Sequence, residues 1–165
     1  MIKRSALAAA AAGTCLVALS VTLAGPAAAG TNRQVHMAAN LSAADSGSTA
    51  VSYDPELAPL GARISVAAIG GDEGLTKVAL DVNGLLADRG YVAQAHESPC
   101  GSTATDAGPA QNGVRLDLQT DGDGVAHAET DIAPGSTTGS PRSVVVHDGT
   151  AEGTGVACLT LPGRR

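Results

Sequence analysis

The feature that most constrains this chain is the alternation of apolar and polar residues in several short runs. In "TKVALDVNGL", Val78, Leu80 and Val82 share one face of an extended strand, whereas Lys77 and Asp81 share the other. Further runs are "STAVSYD", "ARISVAAI", "GYVAQAH", "GVRLDLQT", "GVAHAETDI", "RSVVVHD" and "TGVACLTL". No segment keeps a helical period, and turn sequences such as "GGDEG" and "LADRG" separate the runs. The pattern predicts an all-β sandwich or flattened barrel of about eight strands.

The core of such a fold has to be built almost entirely from aliphatic side chains. Phe and Trp are absent, and Tyr53 and Tyr91 are the two aromatic residues. Val, Leu, Ile and Ala pack well, but each buries little apolar area. A covalent cross-link therefore matters more than usual for the stability of this domain.

Residues 1–29 have the character of a secretory signal peptide. A basic start, "MIKR", precedes a long apolar run, and "PAAAG" supplies a small-residue cleavage motif, with cleavage predicted after Ala29. The alternative, a membrane anchor, is less favoured because Gly, Thr and Ser interrupt the run. Cys15 follows Thr14 and is itself followed by more apolar sequence, so it is assigned to the discarded leader. The predicted location is secreted, or on the exterior of the cell envelope.

The exported chain is strongly acidic. The leader holds Lys3 and Arg4 and no acid, so its removal changes the formal net charge from −6 to −8. This charge argues against nucleic acid or an anionic membrane as partner. Residues 30–47 are small and polar, and they are predicted to form a flexible tail ahead of a single domain at 48–165.

Two cysteines remain after the leader, Cys100 and Cys158. An even pair in an exported chain predicts a disulfide. The cysteines lie 58 positions apart, and closing a loop of that length is worth about 4 kcal/mol in the chain-entropy model. The alternatives are two free thiols, or a metal site that pairs Cys100 with His96.

The order of the segments resembles a secreted bacterial copper/zinc superoxide dismutase domain. The resemblance covers roughly residues 50–162. It is carried by "AVSYDPELAPLGARISV", "TKVALDVNGLLADRGYVAQAHESPCG", "DAGP", "VRLDLQTDGDGVAHAE", "RSVVVHDG" and "GTGVACLTL". The resemblance implies a Greek-key β-sandwich, which agrees with the architecture predicted from alternation.

The resemblance also implies a copper site with four histidines, and this chain retains two of them. The family's His-x-His position reads Gln94-Ala95-His96, the position of the bridging histidine is Ala110, and the last copper position is His147. Only three residues separate Ala110 from the next strand, so the family's zinc loop is missing. Gly155 stands where the family has the arginine that draws superoxide toward copper.

These departures predict a superoxide-dismutase-like protein with little or no dismutation. His96 and His147 are the residual copper positions, with Gln94 as a weak third ligand or a plain polar replacement. Copper would bind weakly and zinc is not expected, because zinc sites use three or four protein ligands. Metal binding requires the ring nitrogens of the two histidines to lie roughly 3 to 5 Å apart.

Other interpretations of these residues remain open. One alternative is an active, copper-only dismutase, for which superoxide would be the substrate. Another is a weak extracellular copper binder or a structural module, in which His96 and His147 are merely exposed, solvated strand histidines. His127 is predicted to be solvated beside Glu129, and His36 is placed in the tail. The sequence "DGDG" is typical of a hairpin turn rather than of a calcium loop.

Overall fold

A computed structural model of the chain describes residues 33–71, 74–133, 140–149 and 153–163. The described residues form two β-sheets and a single turn of 3₁₀ helix at Ala104–Ala107. The strands are β1 (Arg33–Asn40), β2 (Ser42–Ala43), β3 (Ala50–Ser52), β4 (Arg63–Gly71), β5 (Gly74–Asn83), β6 (Gly90–His96), β7 (Ala110–Gln119), β8 (Val125–Asp131), β9 (Ser143–Asp148) and β10 (Gly155–Thr160).

The two sheets have four and six strands. The smaller sheet has the order β1-β4-β5-β8, and the larger has the order β2-β3-β10-β9-β6-β7. Every strand pair is antiparallel except the short pair β2–β3. The prediction of an all-β sandwich is confirmed, with ten strands in the described part of the chain where about eight were expected.

The alternation seen in the sequence sets which residues fill the core between the sheets. On β4 and β5, Ile64, Val66, Leu80 and Val82 are each at most 2% exposed. On β6, Tyr91, Ala93 and Ala95 join the same core cluster, as the alternation predicts. Tyr91 is among the largest fully buried side chains, and its hydroxyl donates to the Leu57 carbonyl at 2.8 Å.

The prediction of a flexible tail at 30–47 is wrong for residues 33–40, which form a strand. Strand β1 pairs along its whole length with β4, from Arg33 opposite Gly70 to Asn40 opposite Arg63. Val35, Met37 and Ala39 alternate with polar or small residues and pack against the core. The alternation was present in the sequence, but small and polar neighbours diluted it. Residues 1–32, with the predicted leader, lie outside the described residues.

The turn at Asp121–Gly124 is confirmed as a turn but does not form a hairpin. Asp121 Oδ1 accepts hydrogen bonds from the backbone N–H groups of Asp123 and Val125, at 3.0 and 2.9 Å. The strands on either side, β7 and β8, belong to opposite sheets, so the turn carries the chain across the sandwich. Asp121 Oδ1 is therefore hydrogen-bonded within the turn itself.

The predicted disulfide is present between Cys100 and Cys158. Cys158 lies on β10 and is fully buried, whereas Cys100 lies in the loop that follows β6. This bond rules out the alternative in which Cys100 and His96 form a metal site. Among the described residues, no helix is long and apolar enough to cross a membrane.

Candidate metal centre

His96 and His147 come together on the outer face of the six-stranded sheet. They lie on the neighbouring strands β6 and β9, where His96 pairs with Ser143 and His147 pairs with Val92. The pair Gln94–Val145 lies between these two positions. The two imidazoles are stacked over it, with ring centroids 5.9 Å apart and ring planes inclined by 27°. The backbones of His96 and His147 are thus separated along the strands, but their rings meet on the same face of the sheet.

Each imidazole is oriented by a backbone carbonyl. His96 Nδ1 donates to the Gly108 carbonyl at 2.7 Å, and His147 Nδ1 donates to the Gly153 carbonyl at 3.0 Å. A carbonyl oxygen only accepts hydrogen bonds, so in the neutral rings the proton is on Nδ1. Both Nε2 atoms then carry a lone pair, and both are buried with no hydrogen-bond partner among the described residues.

This burial contradicts the alternative in which both histidines are exposed and solvated. His96 is 7% exposed and His147 is half-buried. Burial lowers the pKa of His96, and the charge on a protonated His147 lowers it further, while the bond to Gly108 acts in the opposite direction. The neutral imidazole, which is the form that binds a metal, is therefore favoured at His96.

A loop at residues 97–109, here called the covering loop, buries this face of the sheet. Val51, Val145, Cys158 and the loop residue Ala107 form a small second core cluster beneath it. Ala104 and Cys100 of the loop pack against that cluster. Clusters of this kind are typical under long loops. The covering loop therefore both shields His96 and supplies the carbonyl of Gly108.

Three hydrogen bonds add to the disulfide in holding the covering loop, and the first runs from the Cys100 N–H to the Thr160 hydroxyl on β10 at 3.1 Å. The Tyr53 hydroxyl donates to the Gly101 carbonyl at 3.2 Å. The Ser143 hydroxyl, which lies on β9, donates to the Ser98 carbonyl at 2.7 Å. The loop is thus attached to three different strands or strand ends of the larger sheet.

A cleft of about 610 Å³ opens beside the two histidines. Among the described residues, its walls carry several hydroxyl groups, one carboxylate and no lysine or arginine. The polar residues that face it besides the histidines are Tyr53, Asp54, Ser102, Thr103, Thr105 and Thr154. The local charge therefore favours a cation over an anion.

The structure places the remaining predicted site positions less favourably. Gln94 is half-buried on the same sheet face but does not line the cleft. Ala110 is the cross-strand partner of His96 at a bulge and offers no ligand. At Gly155 an added Cβ would collide with the Ala104 side chain and press on Val145. A longer side chain at that position would have to displace the covering loop.

The structure therefore brings two candidate ligand side chains together. The described residues contain no group of three or more His, Cys, Asp and Glu side chains placed to hold a metal ion. The sequence analysis missed the carbonyls of Gly108 and Gly153, because a backbone acceptor has no residue-type signature. It also missed the hydroxyl groups of the cleft.

The chain was compared with protein-family models, curated proteins and solved structures, and none of them matches it.

Proposed function

We propose that this chain is an exported copper-binding protein that uses a superoxide-dismutase-like Greek-key sandwich and removes superoxide slowly or not at all. The observation that carries the proposal is the pair of buried, unpartnered Nε2 atoms of His96 and His147. A buried acceptor without a partner costs about 1 to 3 kcal/mol. A ligand that accepts both lone pairs would offset that cost, which makes the pair a candidate site.

Copper fits this donor set better than zinc does. Imidazole nitrogen is a good ligand for both oxidation states of copper. Cuprous ion accepts low coordination numbers, whereas zinc sites use three or four protein ligands. Two oriented imidazoles in a buried position therefore suit a monovalent copper ion, and a bound copper would supply one-electron chemistry.

Three features argue against efficient dismutation. Only two of the four histidine positions implied by the resemblance are kept, with Gln94 and Ala110 in the other two. The position of the guiding arginine is Gly155, where the covering loop leaves no room for a side chain. The described walls of the cleft present Asp54 and no basic residue to an incoming superoxide anion.

A copper titration with matched histidine variants tests the binding. Purified protein is titrated with copper under reducing and oxidising conditions in competition with a chromogenic chelator. We expect His96→Ala and His147→Ala each to weaken the affinity of the site by more than about 100-fold, since second-shell changes alone cost 10- to 100-fold. His127→Ala, which also removes a histidine but from the opposite face, should bind as the wild type does. Equal affinities in all four proteins would refute the site.

A superoxide assay on the copper-loaded protein separates a binder from an enzyme. We expect the copper-loaded protein to remove superoxide at a rate close to that of a protein-free buffer that contains chelated copper. Removal at a rate near the diffusion limit, and sensitive to His147→Ala, would instead support the copper-only dismutase.

A further inference from the structure

The four sheet edges of the sandwich differ in how they are protected from pairing with another strand. An edge strand exposes unpaired backbone N–H and C=O groups, and proteins shield such edges by shortness, charge or irregularity. In the larger sheet, β2 is only two residues long. At the other end of that sheet, β7 contains Gly113 with a φ of 87° and carries the ion pair Arg115–Asp117.

The smaller sheet protects one of its edges and leaves the other open. Strand β8 presents Glu129 and Asp131 on its solvent side, and these two acidic residues disfavour pairing between two copies. Strand β1 is eight residues long and has no Asp, Glu, Lys, Arg, proline or register shift between Gln34 and Asn40. It is thus the one edge in the described sheets that carries none of these protective features.

The apolar side of β1 is also incompletely covered. Val35, Met37 and Ala39 face the core but are only partly buried. Their neighbours on β4, which are Ile64, Val66 and Ala68, are at most 4% exposed. A strand added beside β1 would cover the inner residues of β1 and pair its outward backbone groups.

We propose that β1 is a dimerisation edge that pairs antiparallel with β1 of a second copy of this chain. An antiparallel self-pairing is isologous, so it closes after two copies. In an antiparallel strand only alternate residues hydrogen-bond to each neighbour, and β4 uses one set of β1 groups. A second β1 uses the other set, and residues 34–40 include no acidic residue, lysine or arginine that would meet its like across the pairing. The product is a continuous eight-stranded sheet through both copies.

A charge placed on the edge tests this interface. Ala38 lies on the solvent side of β1, and Ala67 lies on the same face of the inner strand β4; both are half-buried. Protein purified after expression of the full chain is studied by sedimentation velocity over a range of concentrations. We expect the wild type to dimerise and Ala38→Lys to weaken the affinity of dimerisation roughly tenfold or more, because the variant brings two like charges close together across the paired edge strands. Ala67→Lys adds the same charge to an inner strand, away from the edge, and should dimerise as the wild type does.

Hydrogen exchange on the wild type gives a second readout that needs no variant. At high concentration all amides of β1 between Gln34 and Asn40 should be protected from exchange. On dilution the dimer dissociates, and alternate amides of β1 should then exchange rapidly. A monomeric wild type would overturn the proposal, as would a dimer that Ala38→Lys leaves intact. Protection of every β1 amide in a monomer would also overturn it, by showing that the same chain covers the edge.

Discussion

The four histidines of the chain divide between the two outer faces of the sandwich, and the two pairs differ in their surroundings. On the smaller sheet, His36 contacts the Ser65 hydroxyl at 3.3 Å, and His127 Nδ1 contacts an Asp81 oxygen at 2.6 Å. Both rings are exposed and have polar partners close by. On the larger sheet, His96 and His147 are stacked under the covering loop, and their Nε2 atoms have no partner among the described residues.

The difference arises from what covers each face rather than from the strands themselves. In sequence, "VAHAE" and "AQAHES" look alike, since each places a histidine on the polar side of an alternating run. No described loop covers the outer face of the smaller sheet, whereas the larger sheet carries a disulfide-linked loop and a second apolar cluster. The chemistry available to a strand histidine is therefore decided by tertiary cover.

The largest predicted effect on stability comes from removing the disulfide that holds the covering loop. Replacing Cys100 and Cys158 together by serine should lower the free energy of unfolding by about 4 kcal/mol, since the bond closes a loop with a sequence separation of 58. Urea denaturation of the metal-free protein measures the change. Wild-type protein kept reduced with dithiothreitol should lose a similar amount. A loss below about 1 kcal/mol would show that the covering loop holds its place without the bond.

A second predicted effect is a loss of stability in mild acid that depends on His96. Its pKa is lowered from the ordinary 6.5 in the folded protein, chiefly by burial. As pH falls below about 6.5, the unfolded chain binds the proton more readily than the folded protein does, so the free energy of unfolding falls. Above that pH both states are neutral at this position, and the contribution is constant.

The pH dependence is measured by urea denaturation of metal-free protein between pH 7.5 and 5, a window chosen above the ordinary carboxylate range. His96→Gln removes the titrating ring and should flatten the curve. An unchanged slope in His96→Gln would assign the acid sensitivity to another group and weaken the contrast between the two faces.

Alternation and cysteine chemistry explain how much of the fold was predictable. The inward residues of β4, β5 and β6 follow a period of two, and the predicted export made Cys100–Cys158 the expected pairing. Strand β1 was not predicted, because three of its residues are alanine or asparagine, and these dilute the alternation of Val35 and Met37. Its place in the sheet depends on long-range pairing with β4, which a local pattern does not show.

The site was predictable only in part, for a different physical reason. The resemblance singled out His96 and His147, and the structure brings their rings together. Their burial was missed because it depends on the covering loop, whose position follows from the disulfide and from Ala104 packed against Gly155. The orientation of the rings depends on the backbone carbonyls of Gly108 and Gly153, which any sequence at those positions would possess.

A smaller effect is expected from the second attachment of the covering loop. Tyr53→Phe removes the hydrogen bond to the Gly101 carbonyl and should cost about 1 kcal/mol. Tyr91→Phe removes a bond of the same type, to Leu57, away from the loop. Both variants should lose similar stability in urea, but only Tyr53→Phe should speed amide exchange at residues 97–109. Faster exchange of that segment in both variants would mean that the loop responds to global stability alone.

The smallest effect is predicted on the open face, at the pair formed by His127 and Asp81. Both side chains are more than half exposed, at 56% and 58%. Water solvates either partner when the other is removed, so His127→Gln should change the free energy of unfolding by no more than about 0.5 kcal/mol. The measurement is urea denaturation at pH 7.5, with Asp81→Asn as the reciprocal variant. A loss of several kcal/mol in either would show that the open face also holds a cooperative polar network, and the distinction between the two histidine pairs would then rest on the unpartnered Nε2 atoms alone.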